Sequence, residues 1–323
     1  MISTEHNRVE LLSVVIPAFN EYDNIETVFS RLVPVRDQLL EGGTNIEIVL
    51  ISDGSTDRTF ERARELLMTL GLQGSLVEFT KNYGAYQAIR CGLRESHGDA
   101  IAIISADGQD PPETLPAMCD EIARGSYVVW GRRNRRRNDS LLKRLSSRLF
   151  YLSFKLLTRF DLPPNGLDFV IFRRTVRDQI LEYRERNNPF FVSLYNLGFP
   201  TTSIPYTRGI RISGKSKWTL RKKFRLAIDT VTGSSMSLLR LVVILGSTIG
   251  LVGIAFGGVT LVRAMLGSTG QVGWASLMVT TSVIGGLLLI GLGIVGEYLW
   301  RVLDEVRARP QFVVRDRWSN SID

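Results

Sequence analysis

Two uncharged stretches near the C-terminus, residues 241–262 and 264–296, are separated by a single arginine, Arg263. A hydrocarbon core about 30 Å thick needs roughly 20 apolar residues per helical crossing. The first stretch supplies one crossing. The second supplies another from Trp274 onward, after a short Gly/Ser/Gln-rich turn over 266–273. A buried hairpin of core helices is the alternative, and the lengths of both runs weigh against it. The expected organisation is a water-soluble domain over 1–230 with interfacial helices, a transmembrane hairpin over 231–300 and a tail over 301–323. The spans are expected at about 241–262 and 274–296.

Flanking charge sets the orientation. Arg221, Lys222, Lys223, Arg225 and Arg240 precede the first span, and Arg301, Arg307 and Arg309 follow the second. Positive residues stay cytoplasmic, so the large domain and both termini are expected inside. Arg263 can snorkel to the interface. Trp274 on one side, and Tyr298 with Trp300 on the other, suit the two aromatic belts. The polar opening MISTEHNRVE does not read as a signal peptide.

A formal net charge of +8 favours anionic partners. The basic residues gather beside the apolar segments, which points to phosphates and anionic membrane lipid and away from nucleic acid. Cys91 and Cys119 form no CxxC pair and are expected as reduced thiols. With only His6 and His97, a histidine-built zinc site is not available. A metal would need oxygen ligands, which favours Mg²⁺ or Mn²⁺.

The first 130 residues alternate short β-branched runs with helical patterns. The pattern predicts strands over Leu12–Pro17, Ile46–Ser52, Leu76–Phe79, Ala100–Ser105 and Tyr127–Trp130. Helices are predicted over Asn24–Leu40, Thr56–Leu70, Ala85–Ser96 and Pro112–Ala123. Continuously apolar strands separated by helices imply an α/β fold, with a mostly parallel sheet covered on both faces. Ligands in such sheets bind beyond the carboxyl ends of the strands. Asn20-Glu21, Asp53-Gly54-Ser55 and Asp107 to Asp110 follow three of these ends. Further on, Arg132, Arg133 and Arg135 to Arg137 lead into Leu141–Leu157, a basic amphipathic segment able to lie in the headgroup region or to pack with a solvated face. A second basic segment, Trp218–Ile228, leads into the membrane.

The motifs VVIPAFNEYDNI, ISDGSTDRT, FTKNYGAYQAIRCGL and SADGQDPPE, in this order, resemble family 2 glycosyltransferases of GT-A fold. NGLDFVIFRR, RISGKSKW and the paired apolar stretches extend the likeness to the polyprenyl-phosphate glycosyltransferases. That resemblance implies transfer of one sugar from a nucleotide-sugar donor to a polyprenyl phosphate, with inversion. It assigns Pro17, Ala18, Glu21 and Asp53 to the nucleotide, and Asp107 and Gln109 to the metal. It assigns Arg132, Lys143, Ser147, Arg211 and Lys217 to the donor or acceptor phosphates.

Physical chemistry fits these roles. A cation held near the diphosphate stabilises the leaving group, and a guanidinium grips phosphate oxygens in pairs. Asp168 matches an aspartate given the role of catalytic base in some relatives. A phosphate monoester has a second pKa near 6, so Asp168 serves equally as an orienting group. Simpler structural roles compete at several positions. Glu21 and Asp53 can act as helix-start acids, Ser55 as the N-cap of the second helix, and Asp110 as the cap of the helix opened by Pro111-Pro112.

Family members commonly carry an acid where this chain has Ser52 and Ser105, which raises a weakened lipid-binding scaffold as a rival to the enzyme. A processive polysaccharide synthase would need a QxxRW segment and more spans, and the chain has neither. Gly209 to Ser216 satisfies GxxxxGK[ST], but no βαβ unit can follow it before the membrane. Gly246, Gly250, Gly253 and Gly257 leave room for a homo-oligomer through close helix approach.

Overall fold

A computed structural model describes residues 8–134, 168–183, 190–207, 209, 237–266, 273–307 and 309–320. The predicted strands appear as β1 (Leu11–Ala18), β2 (Asn45–Ser52), β3 (Gly74–Phe79), β4 (Ala100–Ile103) and β5 (Val128–Arg133). The predicted helices appear as α1 (Tyr22–Glu41), α2 (Thr59–Thr69), α3 (Ala85–Glu95) and α4 (Leu115–Ala123), the last entered through a 3₁₀ turn at Pro112–Thr114. Three more strands complete the sheet: β6 (Val170–Arg173), β7 (Thr201–Tyr206) and β8 (Val314–Ser319). Helices α5 (Arg174–Glu182) and α6 (Phe190–Asn196) lie between β6 and β7 in the chain.

The strand order is β7-β5-β6-β4-β1-β2-β3-β8. Strands β1 to β4 are parallel. Strand β6 runs antiparallel to β4 and β5, and β8 runs antiparallel to β3. The result is an α/β fold with a mostly parallel sheet.

Strand alternation explains the two cores. Val14, Ile16, Ile48, Leu50 and Leu76 point to one face, where they meet Phe29 and Leu32 of α1, Leu67 of α2 and Met118 of α4. Val15, Val49, Ile51 and Val77 point to the other, against Ala88 and Ile89 of α3, Val176 of α5 and Phe190 of α6. Both faces are covered, so the strands read as unbroken apolar runs.

The chain divides into two compact units, and the second holds α7 (Ser237–Met265) and α8 (Trp274–Val306). These helices cover both apolar stretches. Among the described residues one helix is long and apolar enough to cross a membrane, through Val283–Trp300, with a mean hydropathy of 1.8 and none of that window buried. Val242–Gly253 is a shorter apolar run. A Cβ added at Gly291 would lie 3.3 Å from Val242, so α7 and α8 touch there. Gly246, Gly250 and Gly253 face open space. The segment read as a tail carries β8, which belongs to the sheet-bearing unit. The basic segments Leu141–Leu157 and Trp218–Ile228 lie outside the described residues.

Phe29 is fully buried between α1 and the sheet. Phe29→Ala should cost about 3–5 kcal/mol, read as a lower urea midpoint with an unchanged slope.

Candidate active site

Parallel pairing gathers the site. Strands β1 and β2 end in register, with Ala18 opposite Ser52, while β4 stops opposite Val15. The loops after β1, β2 and β4 therefore leave from one edge, and the shorter β4 gives the loop 105–110 room to turn over it. Because β6 runs the other way, the residue two places before it, Asp168, also reaches that edge. The carboxyl end of β5 adds Arg132 and Arg133.

On one side, the loops after β1 and β2 are joined. The Ala18 carbonyl accepts the Asp53 N–H at 2.8 Å. Asn20 holds a left-handed φ of 53°, and its amide oxygen accepts the Thr56 N–H at 2.7 Å. Ser55 does not cap a helix. Its hydroxyl bridges the Asn20 N–H and the Ser52 hydroxyl, while Asp57 Oδ1 accepts the Thr59 N–H at the start of α2. Glu21 is buried beside them, with Oε2 accepting from the Asn24 amide at 2.6 Å.

Asp53 is 3% exposed. Its two oxygens accept the Tyr83 N–H at 2.6 Å and the Gly84 N–H at 2.9 Å. Gly84 is the residue before α3, so the carboxylate faces the N-terminus of α3, not that of α2, a favourable place for negative charge. Burial nevertheless pushes its pKa up to about 6, against the lowering effect of those two hydrogen bonds. Gly54 has φ 62°, and a Cβ there would fall 2.2 Å from the Lys81 carbonyl carbon. Only glycine allows the two loops to approach this closely.

On the other side, Asp107 sits in a turn closed by Gly108 at φ 72°. Its Oδ1 accepts from the Ser105 hydroxyl at 2.8 Å and from the Gln109 N–H at 3.1 Å. Arg31 braces the turn: Nη1 donates to the Gly108 carbonyl at 3.0 Å, and Nε and Nη2 grip both oxygens of Glu113. Burial raises the Glu113 carboxyl, but the Arg31 hydrogen bond and charge, together with a backbone hydrogen bond, make the net shift downward.

Asp110 is not a helix cap. It is 2% exposed, accepts the Ser105 N–H at 2.9 Å and takes a 3.4 Å contact from the Tyr206 hydroxyl. Burial raises its pKa, and the nearby charges of Asp168 and Asp107 raise it further. Tyr206 is likewise pushed up to about 12, first by burial and then by Asp110.

Among the basic residues, Arg133 lies 3.6 Å from Asp168, while Arg132 is exposed on the same strand. The Gly209 N–H donates to the Gln109 carbonyl at 2.9 Å. This brings Gly209 against the Asp107 turn. Lys143, Ser147, Arg211 and Lys217 lie outside the described residues. The other candidates, Pro17, Ala18, Glu21, Asp53, Asp107, Gln109, Arg132 and Asp168, share one edge of the sheet. Asp110, Tyr206, Arg31 and Arg133 join them, although sequence reasoning gave none of them a place in the site.

The profile described as glycosyl transferase family 2 matches residues 13–184. An uncharacterized glycosyltransferase of Synechocystis sp. is 33% identical over 308 residues, covering 95% of each chain. The chain belongs to glycosyl transferase family 2. The undecaprenyl-phosphate 4-deoxy-4-formamido-L-arabinose transferase of Edwardsiella ictaluri is 31% identical over 319 residues, covering 97% of this chain and 96% of that one. Among solved structures, glucosyl-3-phosphoglycerate synthase from Mycobacterium tuberculosis, in complex with Mn²⁺, UDP-glucose and phosphoglyceric acid, has a TM-score of 0.49. It is 18% identical and covers 73% of this chain and 80% of its own.

In this family 2 chain, no group of three His, Cys, Asp or Glu side chains forms a metal cage among the described residues. Mg²⁺-type sites are often built from one or two carboxylates completed by substrate phosphates. Asp107, with one oxygen fixed by Ser105 and Gln109, suits such a site.

The raised pKa of Asp53 makes stability depend on pH. Between the ordinary carboxylate range and about 6, the folded protein keeps a proton that the unfolded chain has released. Stability from this group is therefore present at low pH and lost as pH rises through about 6. Relative to Asp53→Asn, the wild-type melting temperature should fall between about pH 4 and about pH 6 and level off above that. A constant difference would mean that the charge is not desolvated.

Proposed function

We propose that this chain transfers a single sugar from a nucleotide-sugar donor to a polyprenyl phosphate at the cytoplasmic membrane face, with inversion at the anomeric carbon. The observation that carries the reading is the near full-length likeness to an undecaprenyl-phosphate sugar transferase, which extends through the C-terminal helices.

Pro17, Ala18, Glu21 and Asp53 border the base and ribose, with Asp53 acting through the backbone it holds. Asp107, with Gln109 beside it, would hold Mg²⁺ or Mn²⁺. That cation would offset the charge growing on the departing nucleoside diphosphate. Arg132, Lys143, Ser147, Arg211 and Lys217 bind phosphate oxygens of donor and acceptor. An acceptor phosphate oxygen attacks the anomeric carbon in line as the bond to the diphosphate breaks. The acceptor is largely ionised at neutral pH, so Asp168, paired with Arg133, orients it and no strong base is needed. Ser52 and Ser105 do not argue against catalysis, because Asp107 is kept and Ser105 supports its carboxylate.

Purified protein incubated with a panel of nucleotide sugars and with undecaprenyl or dolichyl phosphate should form a lipid-phosphate sugar. Asp107→Asn should keep the fold and lose roughly 100-fold or more in turnover. Full activity in excess EDTA would remove the metal role.

Chain closure supports the reading of two membrane crossings. The chain leaves the sheet after β7 and rejoins it as β8 beside β3, so it crosses any bilayer an even number of times. Helices α7 and α8, 29 and 33 residues long, extend roughly 43 and 50 Å, enough for one crossing each. With positive residues flanking the helices, the large unit and both termini are then cytoplasmic. Tags at Ser3 and Ser321 should be reached from the cytoplasm, and a tag within Gly267–Gln271 from the opposite side. Protection of one terminus alone would exclude the hairpin.

A further inference from the structure

The segment that follows α8 touches the loop on which the nucleotide pocket depends. Residues Thr80 to Gly84 carry no regular structure before α3 begins, and their ordering costs backbone entropy. Asp53 holds the far end of this loop through Tyr83 and Gly84. The near end is held by Phe312 and Val313. The Phe312 ring stacks on Phe79 at 4.8 Å and 14° between planes. Phe79 meets Tyr83 edge-on at 5.7 Å. The Val313 carbonyl accepts the Thr80 N–H at 3.0 Å. The Arg94 guanidinium covers Phe312 at 5.3 Å and donates to Gln311 at 3.0 Å.

Shielding the edge of β3 would not require these contacts. The pairing of β8 from Val314 to Ser319 already does that. The register irregularity between Glu78 and Phe79 lies where the strand ends and the clamp begins.

We propose that Phe312 and Val313 are positioning residues for the donor, holding the Thr80–Gly84 loop so that Asp53 and its backbone partners form a preorganised nucleotide pocket. This rests on the donor reading of that pocket given above. The segment carrying them follows closely on α8, so the membrane hairpin and the donor pocket share one stretch of chain.

The test uses full-length protein in detergent or nanodiscs. In Phe312→Ala, amide exchange at Tyr83 and Gly84 should accelerate. The KM for the donor, or the Kd for UDP or GDP by calorimetry, should rise roughly tenfold. Turnover at saturating donor and the KM for polyprenyl phosphate should stay near wild type. Phe312→Tyr, which keeps the stacked ring, should restore donor affinity. Trp318→Ala in β8 serves as the control: it should lower the melting temperature without changing donor KM. If Phe312→Ala does not fold, Phe312→Leu takes its place. Unchanged exchange at Tyr83 and Gly84, or an equal donor defect in Trp318→Ala, would overturn the proposal. Wild-type protein that binds neither nucleotide would overturn the donor reading instead, and the exchange measurement would still decide whether the clamp exists.

Discussion

The register between β1 and its two parallel neighbours governs most of what this molecule can do. A parallel ladder commits successive strands to one direction, so each return helix delivers the next loop to the same edge. With Ala18 opposite Ser52, and β4 ending opposite Val15, the Glu21, Asp53 and Asp107 loops emerge side by side. A shift of one residue would also send the alternating apolar side chains of β1 to the wrong faces. Burial on both faces therefore secures the geometry of the edge. Asp168 reaches the same place by the opposite route, as the approach to an antiparallel strand.

Buried carboxylates turn these loops into a fixed frame. Asp53 accepts two backbone N–H groups from the loop before α3, and Asp110 accepts the Ser105 N–H of its own loop and the distant Tyr206 hydroxyl; desolvation raises the pKa of both. Neither is placed for bulk stability, since a charge taken out of water costs free energy unless its partners compensate. Each specifies where a loop goes. Exposed pairs such as Arg62 with Glu26 contribute little by comparison. Arg31 is different, because one guanidinium braces both the Gly108 carbonyl and Glu113, and so orients the Asp107 turn.

The return of the chain as β8 links the two units by connectivity. A tail free to hang in solvent would leave the outer edge of β3 open to pairing with other chains. Strand β8 occupies that edge, with Trp318 packed against one core and Phe312 and Val314 against the other.

The sequence by itself determined the elements whose signals lie in short windows. These are the first five strands, the first four helices, the two apolar helices and the acidic loops after β1, β2 and β4. Unbroken apolar runs and helical periodicity encode those locally, and Asp53 and Asp107 were visible because each follows such a run. Strand β8 was hidden: VRDRWS is mostly polar and becomes a strand only because β3 offers an edge. Asp110 looked like a cap because Pro111 and Pro112 follow it, yet its partners are Ser105 and Tyr206, the latter 96 residues away. Tertiary structure also chose Arg133 over its neighbour Arg132 as the partner of Asp168, through strand alternation on β5. A local pattern states what a segment prefers to become. Which distant segment completes its hydrogen bonds and shares its burial is decided only when the chain closes on itself.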